Sequence, residues 1–174
     1  MLLRVPVAGL QLQERDAQII LQVYKHRFLT SEHIIALLSA SAKPVLRRLS
    51  LLYHAGYLGR PKEQTRIYVK GSRPMVYSIG NKGADLLAQE FDIQRPKVDW
   101  TSKEREIKHP YLEHTLMVSH FMVCLELACR YVKGIRLIEA GEILRDPTGL
   151  GIRDKCLIWK TDPIRIQETC GTWQ

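Results

Sequence analysis

The chain has 174 residues, 45% hydrophobic and 25% charged, with 26 Lys and Arg against 18 Asp and Glu for a formal net charge of +8. These fractions are globular averages; they exclude a disordered tail, a collagen-like rod or a simple coiled coil, and the length suits one ordinary domain or two small ones. No unbroken apolar run approaches the roughly 18 residues of a membrane span, and Pro6 and Gly9 interrupt the stretch a signal peptide would keep apolar, so a cytoplasmic protein with no membrane partner is expected.

Four cysteines, at positions 124, 129, 156 and 170, have neither CxxC spacing nor the density of a disulfide-stapled scaffold and read as reduced thiols. The charge is unevenly spread: residues 1–91 hold 13 basic and 6 acidic side chains, net +7, whereas residues 92–174 hold 13 and 12, net +1. The first half is therefore expected to face a polyanion, and the second to do a different job.

In chain order, Ile19, Ile20, Val23 and Tyr24 recur at helical spacing within residues 13–26, with Glu14 and Asp16 in the first turn, where the helix dipole favours carboxylates. Thr30 is a candidate N-cap for a second helix that turns Ile34, Ile35, Leu37 and Leu38 inward and ends near Ser39. Ser41 can cap a third, with Pro44 tolerated in the first turn, Leu46, Leu49, Leu52 and Tyr53 along one side, and Gly56 as its stop. At 100° per residue, Lys43, Arg47, Ser50 and His54 fall on the opposite side, with Arg48 on the flank.

Residues 58–60 suggest a short strand, and the alternating stretches 66–69 and 75–79 flank the turn residues 70–74, which predicts a hairpin with a basic tip. Residues 82–90 read as a helix with Leu86, Leu87 and Phe91 inward. Three helices followed by a basic hairpin predict a winged helix-turn-helix over residues 1–91, within an α+β chain. Double-stranded DNA is the expected partner, met by Ser41, Lys43, Arg47, Arg48, Ser50 and His54 on the third helix and by Arg66, Lys70 and Arg73 on the wing. Each cation taken singly is more simply a solvated surface charge; the helix order, the caps, the basic wing and the charge asymmetry favour DNA together.

Residues 92–110, polar and holding Pro96 and Pro110, read as a linker. The helix that follows, 111–132, is apolar nearly all round: Leu112, Leu116 and Val123 on one side, Val118, Met122 and Leu125 on a second, Met117, Phe121 and Ala128 on a third. Only Thr115, Ser119, Glu126 and Arg130 make a polar strip, with Glu126 and Arg130 spaced for an i,i+4 pair. Such a helix must be buried on several sides, either as the core of a small α/β domain or at the centre of a homodimer, and the two readings are compatible. Leu112, Leu116, Met122 and Val123 are the candidate dimer residues. Strands are expected at 135–139, 157–161 and 164–167, completing a dimerisation or partner domain over 111–174 that lacks a covering helix.

Glu139, Glu142, Asp154, Asp162 and Glu168 raise a metal-dependent nuclease as an alternative, but the Lys expected two residues after Glu168 is Cys170, and a solvated acidic face is the simpler reading. His109, His114 and His120 do not form HExxH, and His120 with Cys124 supplies only half a zinc site. With no phosphate-binding loop, GxGxxG or GxSxG, no catalytic residue, metal or cofactor is nominated, and a non-enzymatic protein is expected.

Several segments together resemble the replication-relaxation family of plasmid and mobile-element proteins: LQERDAQII in the first helix, FLTSEHIIALL in the second, LRRLSLLYHAGYL in the third and its exit, VYSIGNKGADLL after the wing, and, most distinctively, YLEHTLMVSHFMVCLELACR. The resemblance covers roughly residues 12–144 and implies a DNA-binding winged helix followed by a second α/β domain, in a protein regulating replication or transcription of a mobile element. Residues after about 149 depart from the family's further sheet. A protein-binding winged-helix adaptor and a nuclease accessory protein are the alternative functions.

Overall fold

In the computed structural model, which describes residues 9–64, 73–91 and 107–138, helices surround a small sheet. The order is α1 (Glu14–His26), β1 (Leu29–Thr30), α2 (Ser31–Leu38), α3 (Ala42–Ala55), β2 (Leu58–Gly59), β3 (Val76–Ile79), α4 (Asn81–Glu90) and α5 (His109–Tyr131). Both β1 and β2 pair antiparallel with the central β3, in registers Leu29 to Tyr77 and Leu58 to Ile79, so the architecture is α+β with a three-stranded antiparallel sheet.

Local chemistry sets the helix ends. Asp16 accepts the Gln13 N–H at 2.7 Å at the start of α1. Thr30 and His33 cap α2 reciprocally: the Thr30 hydroxyl accepts the His33 N–H at 3.2 Å, and His33 Nδ1 accepts the Thr30 N–H at 3.3 Å. At the end of α3, Gly56 takes φ 91°, and the Gly56 and Tyr57 N–H groups return to the Tyr53 and Leu52 carbonyls, a Schellman closure that needs the left-handed residue glycine supplies.

The core is built from Ile19, Ile20 and Val23 of α1, Ile34 and Leu37 of α2, Val45, Leu49 and Leu52 of α3, and the sheet residues Leu29, Leu58, Tyr77 and Ile79. A fully buried aliphatic side chain contributes about 1.5–3 kcal/mol, and this cluster is what holds the helices to the sheet. Two expected inward residues are not inward. Val45 occupies the place expected for Leu46, which is 44% exposed, and Phe91 is 40% exposed just past the end of α4. One step of 100° separates Val45 from Leu46, and it is Val45 that enters the core cluster.

The chain approaches itself closely where α4 starts. The Gly80 N–H donates to the Tyr57 carbonyl at 2.9 Å, and a Cβ on Gly83 would stand 2.2 Å from that same oxygen. Nearby, the buried Gln64 amide clamps β3: its oxygen accepts the Val76 N–H at 2.8 Å and its nitrogen donates to the Val76 carbonyl at 3.1 Å. The expected strand at 66–69, the turn tip at 70–72, the linker at 92–106 and all expectations from 139 onward lie outside the described residues. Residues 135–138 do not form the expected strand; Ile135 and Ile138 are 57% and 50% exposed.

α5 was expected to open a second domain after a linker, but it packs on α2 and β1 and belongs to the compact unit Met1–Ile135; a second unit begins at Arg136. Leu112, fully buried, joins Phe28 and Val76 with Leu116 against them, and Val123 enters the main core. These three are therefore committed within their own chain and are not the dimer face they were expected to form; Met122 is half-buried. Two residues of the expected polar strip, Ser119 and Arg130, also bond to the rest of their own chain. The Ser119 hydroxyl donates to the His26 carbonyl at 2.9 Å and the Arg130 guanidinium to the Leu37 carbonyl at 2.6 Å. Those carbonyls end α1 and α2, where helices leave acceptors unsatisfied and a cation is favoured. By length and composition alone α5 is long and apolar enough to cross a membrane, and these polar contacts hold it against the protein.

Candidate nucleic-acid interface

α2 and α3 are joined by a tight turn in which Ser39 adopts a left-handed conformation, φ 48°, and the Ser39 and Ala40 N–H groups return to the Ala36 and Ile35 carbonyls. This closure fixes the direction in which α3 leaves, and the buried Val45, Leu49 and Leu52 fix its rotation. What remains outward is determined by that rotation.

Lys43 and Arg47, one turn apart, are both exposed, as are Ser41 and Leu46. Among the described residues neither Lys43 nor Arg47 has an acidic partner, and α3 contains no Asp or Glu. Ser41 is the N-cap, but its side chain makes no capping hydrogen bond. The positive end of the α3 dipole and two cations thus coincide, an arrangement that attracts anions.

The remaining expected residues are placed differently. Ser50 and His54 are half-buried, and the His54 ring meets Tyr53 edge-on with centroids 5.1 Å apart. Arg48 is turned back into the protein: its Nε donates to Asp16 Oδ1 at 2.6 Å, a terminal nitrogen reaches Oδ2 and the Gln11 carbonyl, and its side chain is only 16% exposed. The Asp16 hydrogen bond raises the Arg48 pKa above its ordinary value, so the guanidinium stays charged and occupied. Arg73, 62% exposed, lies 3.5 Å from Glu113 of α5. Arg66 and Lys70 lie outside the described residues.

Two other contacts, Arg60 over two tyrosines and His33 against His120, went unread in the sequence. Arg60 sits over the rings of Tyr53 and Tyr77, at 4.2 and 5.1 Å from their centroids, and donates to the Tyr77 hydroxyl at 3.1 Å; it braces the sheet. The second joins α2 to α5: His33 Nε2 is 3.1 Å from His120 Nδ1, and His120 Nε2 is 3.7 Å from Cys124 Sγ. His33 Nδ1 already accepts the Thr30 N–H, so its proton sits on Nε2 and points at His120. His33 and Cys124 therefore address opposite nitrogens of His120, and no group of three metal-ligating side chains forms among the described residues. Burial, followed by the charges of His120 and His26, pushes the His33 imidazole down to about 4. A spacing of 87 residues between His33 and His120 left no local signal to find this pair.

Among protein families, the one described as replication-relaxation matches residues 21–148, well over half of the chain. No curated protein and no solved structure matches it.

Proposed function

Because the chain belongs to the replication-relaxation family, we propose that it is a non-enzymatic, cytoplasmic winged helix-turn-helix protein that binds double-stranded DNA and regulates the replication or transcription of a plasmid or other mobile element. The observation that carries this reading is the pair Lys43 and Arg47, exposed and without an acidic partner among the described residues, on a helix devoid of acids. A major groove admits such a helix, its cations neutralise phosphates or reach guanine edges, and the neighbouring Leu46 offers an apolar contact to a thymine methyl. The basic stretch 66–73 leading into β3 supports a wing, although Arg73 must first leave Glu113 to reach a phosphate. Arg48 has no part in this interface, because it is spent on Asp16.

Gel-shift titration of duplex DNA tests the reading. Wild type is expected to bind, Lys43→Ala/Arg47→Ala to bind at least tenfold more weakly while staying folded, and the duplex to remain intact with Mg²⁺. Equal binding by the variant would remove α3 from the interface, and cleavage would overturn the non-enzymatic part in favour of a nuclease.

A further inference from the structure

α5 presents one face to its own protein and, among the described residues, leaves another uncovered. Met117 and Phe121 are each 65% exposed, Val118 47% and Leu125 36%. Single exposed apolar residues are ordinary, but a continuous line of large ones along a helix marks a contact surface. From His114 to Leu125 the helix carries no Asp, Glu, Lys or Arg, in a chain whose net charge is +8. We propose that this face binds a second copy of the chain, the two α5 helices packing antiparallel about a two-fold axis at Phe121.

The pattern matches itself under that symmetry. An isologous contact brings residue 121 − n of one helix to residue 121 + n of the other, and a two-fold interface must be self-complementary. Phe121 then meets Phe121, Met117 meets Leu125, Val118 meets Cys124 and Tyr111 meets Tyr131, and every one of these residues is exposed in the single chain. The antiparallel sense sets the two helix dipoles in opposition, whereas a parallel pair would align them.

The uncovered area clears the roughly 1,000 Å² in total that a specific interface needs. A fully buried aromatic side chain removes about 150–250 Å² from water, so the seam from Tyr111 to Tyr131 offers about 500–600 Å² per copy. Standard interfaces bury roughly 600–1,000 Å² per partner, and the helix seam reaches the lower edge of that range. The chemistry also separates this occupant from others. The seam has no cation for a phosphate, and a helix lying on an anionic lipid surface would carry Lys or Arg along its flanks. The proposal is independent of DNA binding.

Two measurements on the full chain test it. By multi-angle light scattering, wild type is expected at twice the mass of one chain and Phe121→Glu, with unchanged circular dichroism, at the mass of one. With the four native cysteines replaced by Ser, mild oxidation is expected to cross-link Phe121→Cys to itself. Met117→Cys alone should not cross-link, because its two copies lie about 12 Å apart along the axis, beyond disulfide reach, whereas mixed Met117→Cys and Leu125→Cys chains should. A wild type that stays monomeric at tens of micromolar, a dimer that Phe121→Glu leaves intact, or a monomer whose Phe121 instead inserts into phosphatidylcholine vesicles would each overturn it.

Discussion

Arg48 on α3 grips the fully buried carboxylate of Asp16 on α1, with Nε on one oxygen at 2.6 Å and a terminal nitrogen on the other. The pair ties α3 to α1 through two parallel hydrogen bonds, a geometry that only the guanidinium fork provides. Asp16 also accepts the Gln13 N–H, so one carboxylate both caps α1 and anchors α3. Removing the cation would strand a buried charge. Arg48→Ala is expected to lose about 3–5 kcal/mol in urea unfolding, while Arg47→Ala, exposed one residue away, should stay within about 0.5 kcal/mol of wild type. Equal stability of the two variants would show that the strut is not formed in solution.

A second expectation concerns the contact between α4 and the end of α3. Ala at position 83 would put a methyl group 2.2 Å from the Tyr57 carbonyl oxygen, which is backbone and cannot swing aside. Gly83→Ala is expected to lower stability by about 1–3 kcal/mol despite its better helix propensity. The melting temperature checks the sign: a rise would mean that α4 can move away from α3 at no cost.

The His33 imidazole gives the fold a pH dependence whose direction is fixed. Its pKa falls from 6.5 to about 4 on folding, so between those values the unfolded chain binds more protons and stability declines as pH falls. The contribution is complete above pH 6.5 and gone below about 4. For a ring only half shielded from solvent it amounts to about 1–2 kcal/mol, and the groups facing it are His26, His120 and the Thr30 N–H. Urea midpoints at pH 7 and pH 4.5 should converge in His33→Gln relative to wild type. An unchanged difference would assign the pH dependence to other groups.

Together, the DNA-binding and dimer proposals constrain the target. A two-fold pair of chains offers two copies of α3, so duplexes selected from a random pool should be inverted repeats, their half-sites about 10–10.5 bp apart or a multiple of that. Enrichment of a single asymmetric half-site by a dimeric protein would contradict the pairing of the two.

How much of this was legible beforehand depended on whether the deciding contacts were local. The four helices α1 to α4 follow from apolar spacing and from caps such as Thr30 and Gly56, which act within a turn of their own position. β1 left no trace, because two residues carry no period and Leu29 becomes a strand only by pairing with Tyr77. The side of α5 that faces inward was undecidable from its apolar residues. Ser119 and Arg130 decide it by meeting the carbonyls of His26 and Leu37, acceptors contributed by other helices. For the same reason the site was only partly readable: Lys43 and Arg47 are outward by helical geometry, whereas the diversion of Arg48 depended on an aspartate 32 residues away.

If α3 meets DNA phosphates through Lys43 and Arg47, the salt dependence of binding must carry the signature of those two contacts. Fluorescence anisotropy of a random-sequence duplex at several salt concentrations should give a steep fall of log K with log[salt]. In Lys43→Ala/Arg47→Ala the slope should be shallower by about two units, close to one per lost phosphate contact. No binding at low salt by the folded wild type, or a slope the double variant leaves unchanged, would contradict the account.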